Sequence, residues 1–521
     1  MDGTHHPIHY LYMSHLFTII KSTHNFLVKN LEIRGKQAVE DFARRYIQRG
    51  MIRTADGGFH MTPVKVYAAA KKDRTEYRFH INQYDEFITF LNDRYITENL
   101  YTEYQNPVPV PVHIKAPVKP KWVAREEQVP VIDYMVAEGN SRAKFVDART
   151  GSGKSFMAMQ ALSTIGLRTV ILVKPMYIEK WHDDLTKTYN IDNKDIMVVK
   201  GGDHLRGLIS LAVENKLSAK FIIISNKTFQ IWLTNYENFG DDTKALGYDI
   251  NPDVFFETLG AGVRLIDENH QDFHLNFKID LYTNIERSIS LSATLINNDP
   301  FMEKMYKIMH PIHTRYTQPR PPGHVNSYSV NYGFRDVDRI RTMEYGSTTY
   351  SHTAFEASIK RNKDILANYL KLIDYTIDYG YMQCPRKKKK LLIFVSTIDM
   401  ATTVTNHLKY IHKKLNVQRY VEDDEYEDLL KADIAVSTIG SAGTALDLPN
   451  LTTVIMTTAV ASIQANIQAM GRLRKLDDSD TQFFYFTALN IPKHVSYSND
   501  KKILMLDRAK TFKELYTNIL V

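Results

Sequence analysis

Gly151-Ser152-Gly153-Lys154-Ser155, preceded by Arg149-Thr150, brings together the residue types that hold phosphate. Gly151 and Gly153 let backbone N–H groups turn inward around phosphate oxygens, and a helix starting there adds a partial positive charge. Lys154 is placed to neutralise β- and γ-phosphates and the Ser155 hydroxyl to ligate Mg²⁺, with Thr150 and Ser152 completing the cradle. Phe145-Val146 reads as a short strand before the loop and Phe156 to Leu162 as a helix after it, the context such a loop requires. Ala148 stands where the generic motif has its first glycine. A glycine-rich turn of no chemical consequence is the plainer alternative, and Gly-Lys-Ser in this context outweighs it.

Hydrolysing a bound nucleotide also needs an acid for the metal and a second acid for the attacking water. Leu265-Ile266 leads into Asp267-Glu268-Asn269-His270, an apolar approach followed by two carboxylates. Asp267 is the expected metal-side residue and Glu268 the expected water-positioning base. An Asp-Glu pair alone is usually a loop. Its place after the phosphate loop and before Ser292-Ala293-Thr294 reverses that prior.

These residues need parallel strands to carry them. Thr169–Val173, Phe221–Ile224, Leu391–Val395, Ile434–Val436 and Thr453–Met456 are short apolar or β-branched runs alternating with longer helical patterns, as in buried parallel sheets with crossover helices. Two tandem α/β lobes result. Proline-rich Asn106 to Pro120 favours an extended connector, and Gln318-Pro319-Arg320-Pro321-Pro322-Gly323 breaks the chain again. The expected division is an N-terminal α+β module over 1–105, a linker over 106–120, lobes over 121–318 and 346–521, and a connector over 319–345. In the N-terminal module, Gln37 to Arg49 reads as a helix with Arg44, Arg45 and Arg49 beside its apolar face. Asp56-Gly57-Gly58 reads as a hairpin turn and Tyr84 to Tyr95 as a second helix. Its arginines read first as a solvated face and second as a phosphate-binding surface.

Composition sets outer bounds. The chain has 521 residues, 44% hydrophobic and 24% charged, which suits several packed cores and excludes wholesale disorder. A formal charge of +7 is compatible with a polyanionic partner without identifying one. Cys384 is the only cysteine, so no internal disulfide or paired-cysteine zinc site is expected, and an inert thiol in a reducing compartment is. No apolar run approaches a bilayer span and no signal peptide is recognisable, so no membrane association and a cytoplasmic location are expected. His5, His6 and His9 lack ligand spacing and read as ordinary surface or core residues.

The ordered motifs resemble those of superfamily 2 helicases. Gln128 lies upstream as the adenine reader, followed by the phosphate loop, Pro175, Asp267 to His270, and Ser292-Ala293-Thr294. Phe394-Val395-Ser396, Ser437-Thr438-Ile439-Gly440 through Gly443-Thr444-Ala445-Leu446-Asp447, and Gln468-Ala469-Met470-Gly471-Arg472 then resemble the motifs of a second lobe. Within that superfamily the chain resembles phage UvsW-type recombination helicases. The likeness rests on the small N-terminal module and on Ser358 to Lys363, read as opening an amphipathic helix that leads to the strand at Leu391.

The resemblance implies two RecA-like lobes gripping ATP and Mg²⁺, and DNA as partner, branched or duplex, engaged as a monomer through backbone contacts with weak sequence preference. It implies Gly443 and Asp447 near the nucleotide and Gln468 near the phosphates. Arg472 is the implied arginine finger. Lys475 replaces a second arginine and Arg474 is one position early, which leaves the finger open among the three. His270, Ser292 and Thr294 would couple nucleotide state to lobe position, with His270 bridging to Gln468. Pro175, Asn226, Thr228, Thr438 and Gly440 would track the strand, with Arg44 and Arg45 as further DNA contacts. Trp181 reads as packing, and Lys387 to Lys390 as a solvated connector. An RNA helicase, a duplex translocase without strand separation, and an ATP-switched clamp or annealing factor are the alternatives. Phage recombination or repair in an infected bacterium, with recombination or single-strand-binding proteins nearby, completes what the likeness implies.

Overall fold

A computed structural model describes residues 15–53, 59–139, 141–148, 152–240, 247–292, 299–319, 323–344, 349–421, 424–439, 448–477 and 479–521. The chain divides into two compact units, with the division falling between Gln318 and Pro319.

The first unit begins with a sheet ordered β5-β6-β2-β1-β7, formed by Phe17–Lys21 (β1), Asn25–Lys29 (β2), Ala69–Ala70 (β5), Tyr77–His80 (β6) and Tyr101–Gln105 (β7). Helices Ile33–Arg44 and Tyr84–Asn92 bury Val39, Phe42, Phe87 and Phe90 against it. Phe42 meets Phe87 edge-on at 4.9 Å, and Phe26 lies 5.2 Å from Phe87. The helix expected over Gln37 to Arg49 starts and stops earlier. Ile47–Arg53 (β3) instead pairs antiparallel with Phe59–Val66 (β4), because the β-branched and aromatic residues there favour a hairpin. The expected turn at Asp56–Gly58 lies outside the described residues.

This module is not tethered by a free linker. The core runs continuously from its aromatic cluster into the following lobe, with Tyr67 edge-on to Phe277 at 5.1 Å. Residues 106–120 are strapped to the lobe: Val112 N–H donates to the Gly260 carbonyl at 2.8 Å, Ile114 N–H to Gly166 at 2.8 Å, and Lys119 N–H to Thr188 at 2.9 Å. A polar network crosses the same boundary. His24 Nε2 and Ser288 Oγ share a 2.7 Å hydrogen bond, Asn25 donates to the Thr283 carbonyl at 2.9 Å, and His80 Nε2 lies 3.3 Å from Asp280 Oδ2. Arg264, fully buried, pairs with Asp280 and donates to Thr283 Oγ1 at 2.7 Å.

The lobe itself carries a seven-stranded sheet, order β10-β11-β9-β12-β13-β8-β14, with every pair parallel. Its strands are Ala143–Asp147 (β8), Thr169–Val173 (β9), Ile196–Val199 (β10), Phe221–Ser225 (β11), Val263–Ile266 (β12), Arg287–Ser292 (β13) and Arg315–Thr317 (β14). β9 and β11 are buried at all five positions, the signature of strands covered on both faces. Each fully buried Ile or Val there contributes about 1.5–3 kcal/mol.

The second unit repeats the plan, with seven parallel strands in the order β17-β18-β16-β19-β20-β15-β21. They are Val325–Gly333 (β15), Lys390–Val395 (β16), Val417–Tyr420 (β17), Ile434–Thr438 (β18), Leu451–Met456 (β19), Thr481–Ala488 (β20) and Thr511–Leu520 (β21). β15 corrects the expected connector over 319–345: residues 325–333 mix polar and apolar side chains yet lie inside the sheet, between β20 and β21. A second correction concerns Ser358 to Lys363, which does not open one helix. It closes helix His352–Arg361, and Asn362 stands at the N-cap position of the next, Lys363–Ile377. Of the lysine run, Lys389 donates to the carbonyls of Tyr381 at 2.8 Å, Met382 at 3.2 Å and Cys384 at 2.8 Å, ending a helix. Lys390 donates to Leu430, so half of the supposed solvated connector is structural. The two parallel sheets with flanking helices form the tandem RecA-like architecture.

Candidate nucleotide site

A parallel sheet delivers all its carboxyl ends to one edge, where α/β proteins bind ligands. In the first lobe three adjacent strands meet there. β8 runs into the phosphate loop, β13 ends at Ser292, and β12 runs into Asp267. The strand order thus brings together segments more than a hundred residues apart.

The described part of the loop is built tightly. Gly153 has φ +87°, a conformation that side chains disfavour, and caps helix Lys154–Ile165. A Cβ on Gly153 would also sit 2.7 Å from Gln128 Nε2. Gln128 Nε2 donates to the Ser152 carbonyl at 2.8 Å, and Arg125 Nη2 to the same oxygen at 3.0 Å. Gln128 is therefore a buried clamp on the loop, and Arg125 is a second clamp that the sequence did not single out. Ala148, in place of a glycine, is buried and its N–H donates to the Ser292 carbonyl at 3.1 Å. Thr150 and Gly151 lie outside the described residues.

Lys154 is buried, with Nζ 3.2 Å from Glu268 Oε1, while Ser155 is half-buried on the next position of the helix. Glu268 adopts φ +49°, rare for a residue with a side chain, so the turn after β12 is held against local preference. What holds it is visible. Glu268 N–H donates to Asp267 Oδ1 at 2.9 Å, Asn269 N–H to the Leu291 carbonyl at 3.0 Å, and the fully buried Asn269 amide lies 2.6 Å from His310 Nε2. Asn269 is thus an anchor for the turn. Asp267 Oδ2 accepts from the Trp181 indole N–H at 3.0 Å, which corrects the assignment of Trp181 to packing alone.

The two acids are driven apart electrostatically. Burial and the neighbouring Glu268 push the Asp267 carboxyl up. Burial would raise Glu268 too, but the Lys154 ammonium outweighs it and holds Glu268 below its ordinary value. His270 is pushed down to about 4 by burial, against the pull of Glu268, so it is neutral at pH 7. The Asp267 carboxylate, the Glu268 carboxylate beside the loop lysine and the Ser155 hydroxyl are oxygen donors of the kind that hold Mg²⁺ together with phosphate oxygens.

His270 Nδ1 and Ser292 Oγ share a 2.7 Å hydrogen bond, so two of the expected coupling residues meet directly. Thr294 lies outside the described residues. Pro175 opens a short turn after β9. Asn226 and Thr228 are buried and turned inward: Asn226 donates to Asp272 Oδ2 at 2.9 Å, and Thr228 Oγ1 accepts from Gly201 N–H at 2.8 Å. They stand in the first turn of helix Asn226–Phe239, not in the loop the sequence suggested, and their side chains are spent on internal bonds. In the N-terminal module Arg44 is exposed and pairs with Asp41 at 3.0 Å, and Arg45 lies 4.3 Å over the Phe90 ring.

In the second lobe, Thr438 ends β18 and is buried, while Gly440, Gly443 and Asp447 lie outside the described residues. Helix Ile463–Met470 carries Gln468, half-buried. Among the three basic residues that follow, Arg472 is buried, Arg474 half-buried and Lys475 exposed.

No family model matches the chain. Its sequence is 22% identical over 419 residues to the Schizosaccharomyces pombe general transcription and DNA repair factor IIH helicase/translocase subunit XPB, an alignment covering 77% of this chain and 48% of the relative. The chain therefore spans about half the length of the curated relative it matches. Among solved structures it is similar to T4 UvsW, at 12% identity and TM-score 0.32, covering 97% of this chain and 100% of that one. It is also similar to the Pyrococcus furiosus Hef helicase domain, at 12% identity and TM-score 0.42 over 72% and 98% of the two chains. Saccharomyces cerevisiae Dbp5 bound to RNA and ADP BeF3 is similar at 12% identity and TM-score 0.46 over 75% and 90%.

Proposed function

We propose that this chain is an ATP-dependent superfamily 2 helicase or translocase acting on branched DNA, such as forks and four-way junctions, in phage-type recombination, repair or replication. The observation that carries the ATPase reading is the grouping of Lys154, Glu268 and Asp267 at the carboxyl edge of one parallel sheet, within 3.2 Å for the lysine and the base. Lys154 binds the β- and γ-phosphates. Glu268, kept anionic by Lys154, accepts a hydrogen bond from the attacking water and orients it. Ser155 and Asp267 are the residues to hold Mg²⁺, which when bound with ATP neutralises developing phosphate charge. Gln128 fixes the loop through Ser152 and sits where an adenine reader belongs by resemblance. Gln468 and Arg472 keep, by motif order alone, the phosphate and finger roles that the resemblance implies.

The His270–Ser292 hydrogen bond supports coupling of the acid turn to the strand that ends in Ser292-Ala293-Thr294. Preference for DNA branches is assigned to the N-terminal module, whose continuity with the first lobe supports a fixed substrate-facing element. Its exposed arginines, Arg44 among them, supply backbone contacts in that reading. Recombination or single-strand-binding proteins as partners, and the interior of an infected bacterium as location, follow from the same reading.

The deciding experiment measures ATPase and unwinding side by side on single-stranded DNA, duplex, fork, four-way junction and RNA at one stated salt concentration. Highest turnover and strand separation on forks and junctions is the expected result. Equal or greater stimulation by RNA would overturn the DNA assignment. Binding of ATP without turnover on any substrate would favour the clamp reading.

A further inference from the structure

Three tryptophans occur in the chain, and their indole N–H groups have three different fates. Trp122, at the surface, donates to the Lys187 carbonyl at 2.9 Å. Trp232 is fully buried, and its Nε1 has no hydrogen-bond partner among the described residues. Trp181 is equally buried, on helix Ile178–Thr188, and donates to Asp267 Oδ2 at 3.0 Å. The fold therefore accommodates a buried indole without giving it a partner. Burial alone does not account for the Trp181 to Asp267 bond.

The bond is also one of two that fix a single carboxylate. Oδ1 accepts from the Glu268 backbone at 2.9 Å and Oδ2 from Trp181. Each oxygen has a second lone pair, so the carboxylate is oriented without being used up. An indole N–H donates only, and the ring is fully buried in the core cluster that also holds Val173 and Leu265. Donors behind a metal-ligating carboxylate set its direction and the affinity of the ion.

We propose that Trp181 is a positioning residue for the cation site, holding the Asp267 carboxylate in the orientation that receives Mg²⁺ with the nucleotide. The proposal rests on the nucleotide-site reading above. It adds a residue from the helix that follows the Pro175 turn, at a position that reads as core in the sequence because Ile178, Trp181 and Leu185 share one buried helix face.

The test compares calorimetric ADP binding by the full chain in excess Mg²⁺ and in EDTA, for wild type, W122F, W181F and W181H. The ratio of the two dissociation constants measures how strongly the cation is coupled to the nucleotide site. W181F keeps an aromatic ring and loses the N–H, and is expected to lower that ratio about tenfold. It should leave binding in EDTA within about twofold. W122F should leave both unchanged. W181H, smaller but carrying a ring N–H, should recover part of the ratio that W181F loses, which mere packing does not predict. An unchanged ratio in W181F, or an equal loss of binding with and without Mg²⁺, overturns the proposal. Should W181F fail to fold, β-(3-benzothienyl)alanine at position 181, nearly isosteric and lacking the N–H, replaces it with the same expected ratio. Wild type that binds ADP in neither condition overturns the nucleotide site itself, a result distinct from an unchanged ratio in W181F.

Discussion

Asp280→Ala should destabilise the first unit by about 3–5 kcal/mol, because it strands the Arg264 cation in the core. Arg264 and Asp280 are almost fully buried, and His80 from the N-terminal module completes the site at 3.3 Å. Burial alone would raise the Asp280 pKa, yet the Arg264 guanidinium, aided by the His80 hydrogen bond, holds it well below the carboxylate range. A depressed pKa contributes stability that is fully present above the unfolded value of about 3.9 and lost as pH falls through the folded one, so at pH 7 all of it is at stake. The assay is urea unfolding followed by tryptophan fluorescence. All three tryptophans lie before Gln318, so the signal reports the first unit alone. Arg264→Met combined with Asp280→Leu removes both charges and should recover most of the loss, since a buried pair contributes little over apolar residues of similar size. A cost below about 1 kcal/mol for Asp280→Ala, or a double variant no more stable than the single one, would show the pair to be solvated and the reasoning wrong.

Lys154→Ala and Glu268→Gln should each reduce nucleic-acid-stimulated ATP hydrolysis by at least about a hundredfold, with far-UV circular dichroism unchanged. Normal turnover in either variant would remove the active-site assignment. His24 is pushed down to about 3, chiefly by burial and then by Arg264, so it is neutral in the fold and its contribution to stability is present above pH about 6.5. Fluorescence-monitored stability should fall by up to about 1.4 kcal/mol per pH unit below that from this residue, and His24→Gln should flatten the slope by that amount. Gly323→Ala should cost the second unit about 1–3 kcal/mol in a thermal melt, because a Cβ there would lie 2.4 Å from the Ala509 carbonyl carbon. Removal of residues 1–106 should yield an aggregating or dye-binding chain, since it exposes the shared core. Branch preference is therefore better tested with Arg44→Glu and Arg49→Glu, whose side chains are exposed and which should lower fork relative to single-strand stimulation.

The candidate site was legible as residue types and spacing, because phosphate and metal chemistry tolerates few substitutes. Gly-Lys-Ser at a strand-to-helix junction and Asp-Glu after an apolar run identify themselves by type and spacing, and buried parallel strands announce themselves as β-branched runs. Thr169–Val173 is a strand over the same five residues that the pattern picked out. What the sequence could not supply is which distant segments meet. That depends on strand order, and the placement of β13 between β8 and β12 is written in no local pattern. Val325–Gly333 was hidden because Asn326, Ser327, Ser329 and Asn331 interrupt the apolar run by which a buried strand is read. Trp181 was legible as core and illegible as the donor to Asp267, because helix periodicity gives a buried face and not the atom it meets. The N-terminal module likewise read as an appendage behind a proline-rich linker. Only the tertiary structure joined its histidines to Asp280 and Ser288, since hydrogen bonding and core continuity across two hundred residues of chain are settled by packing.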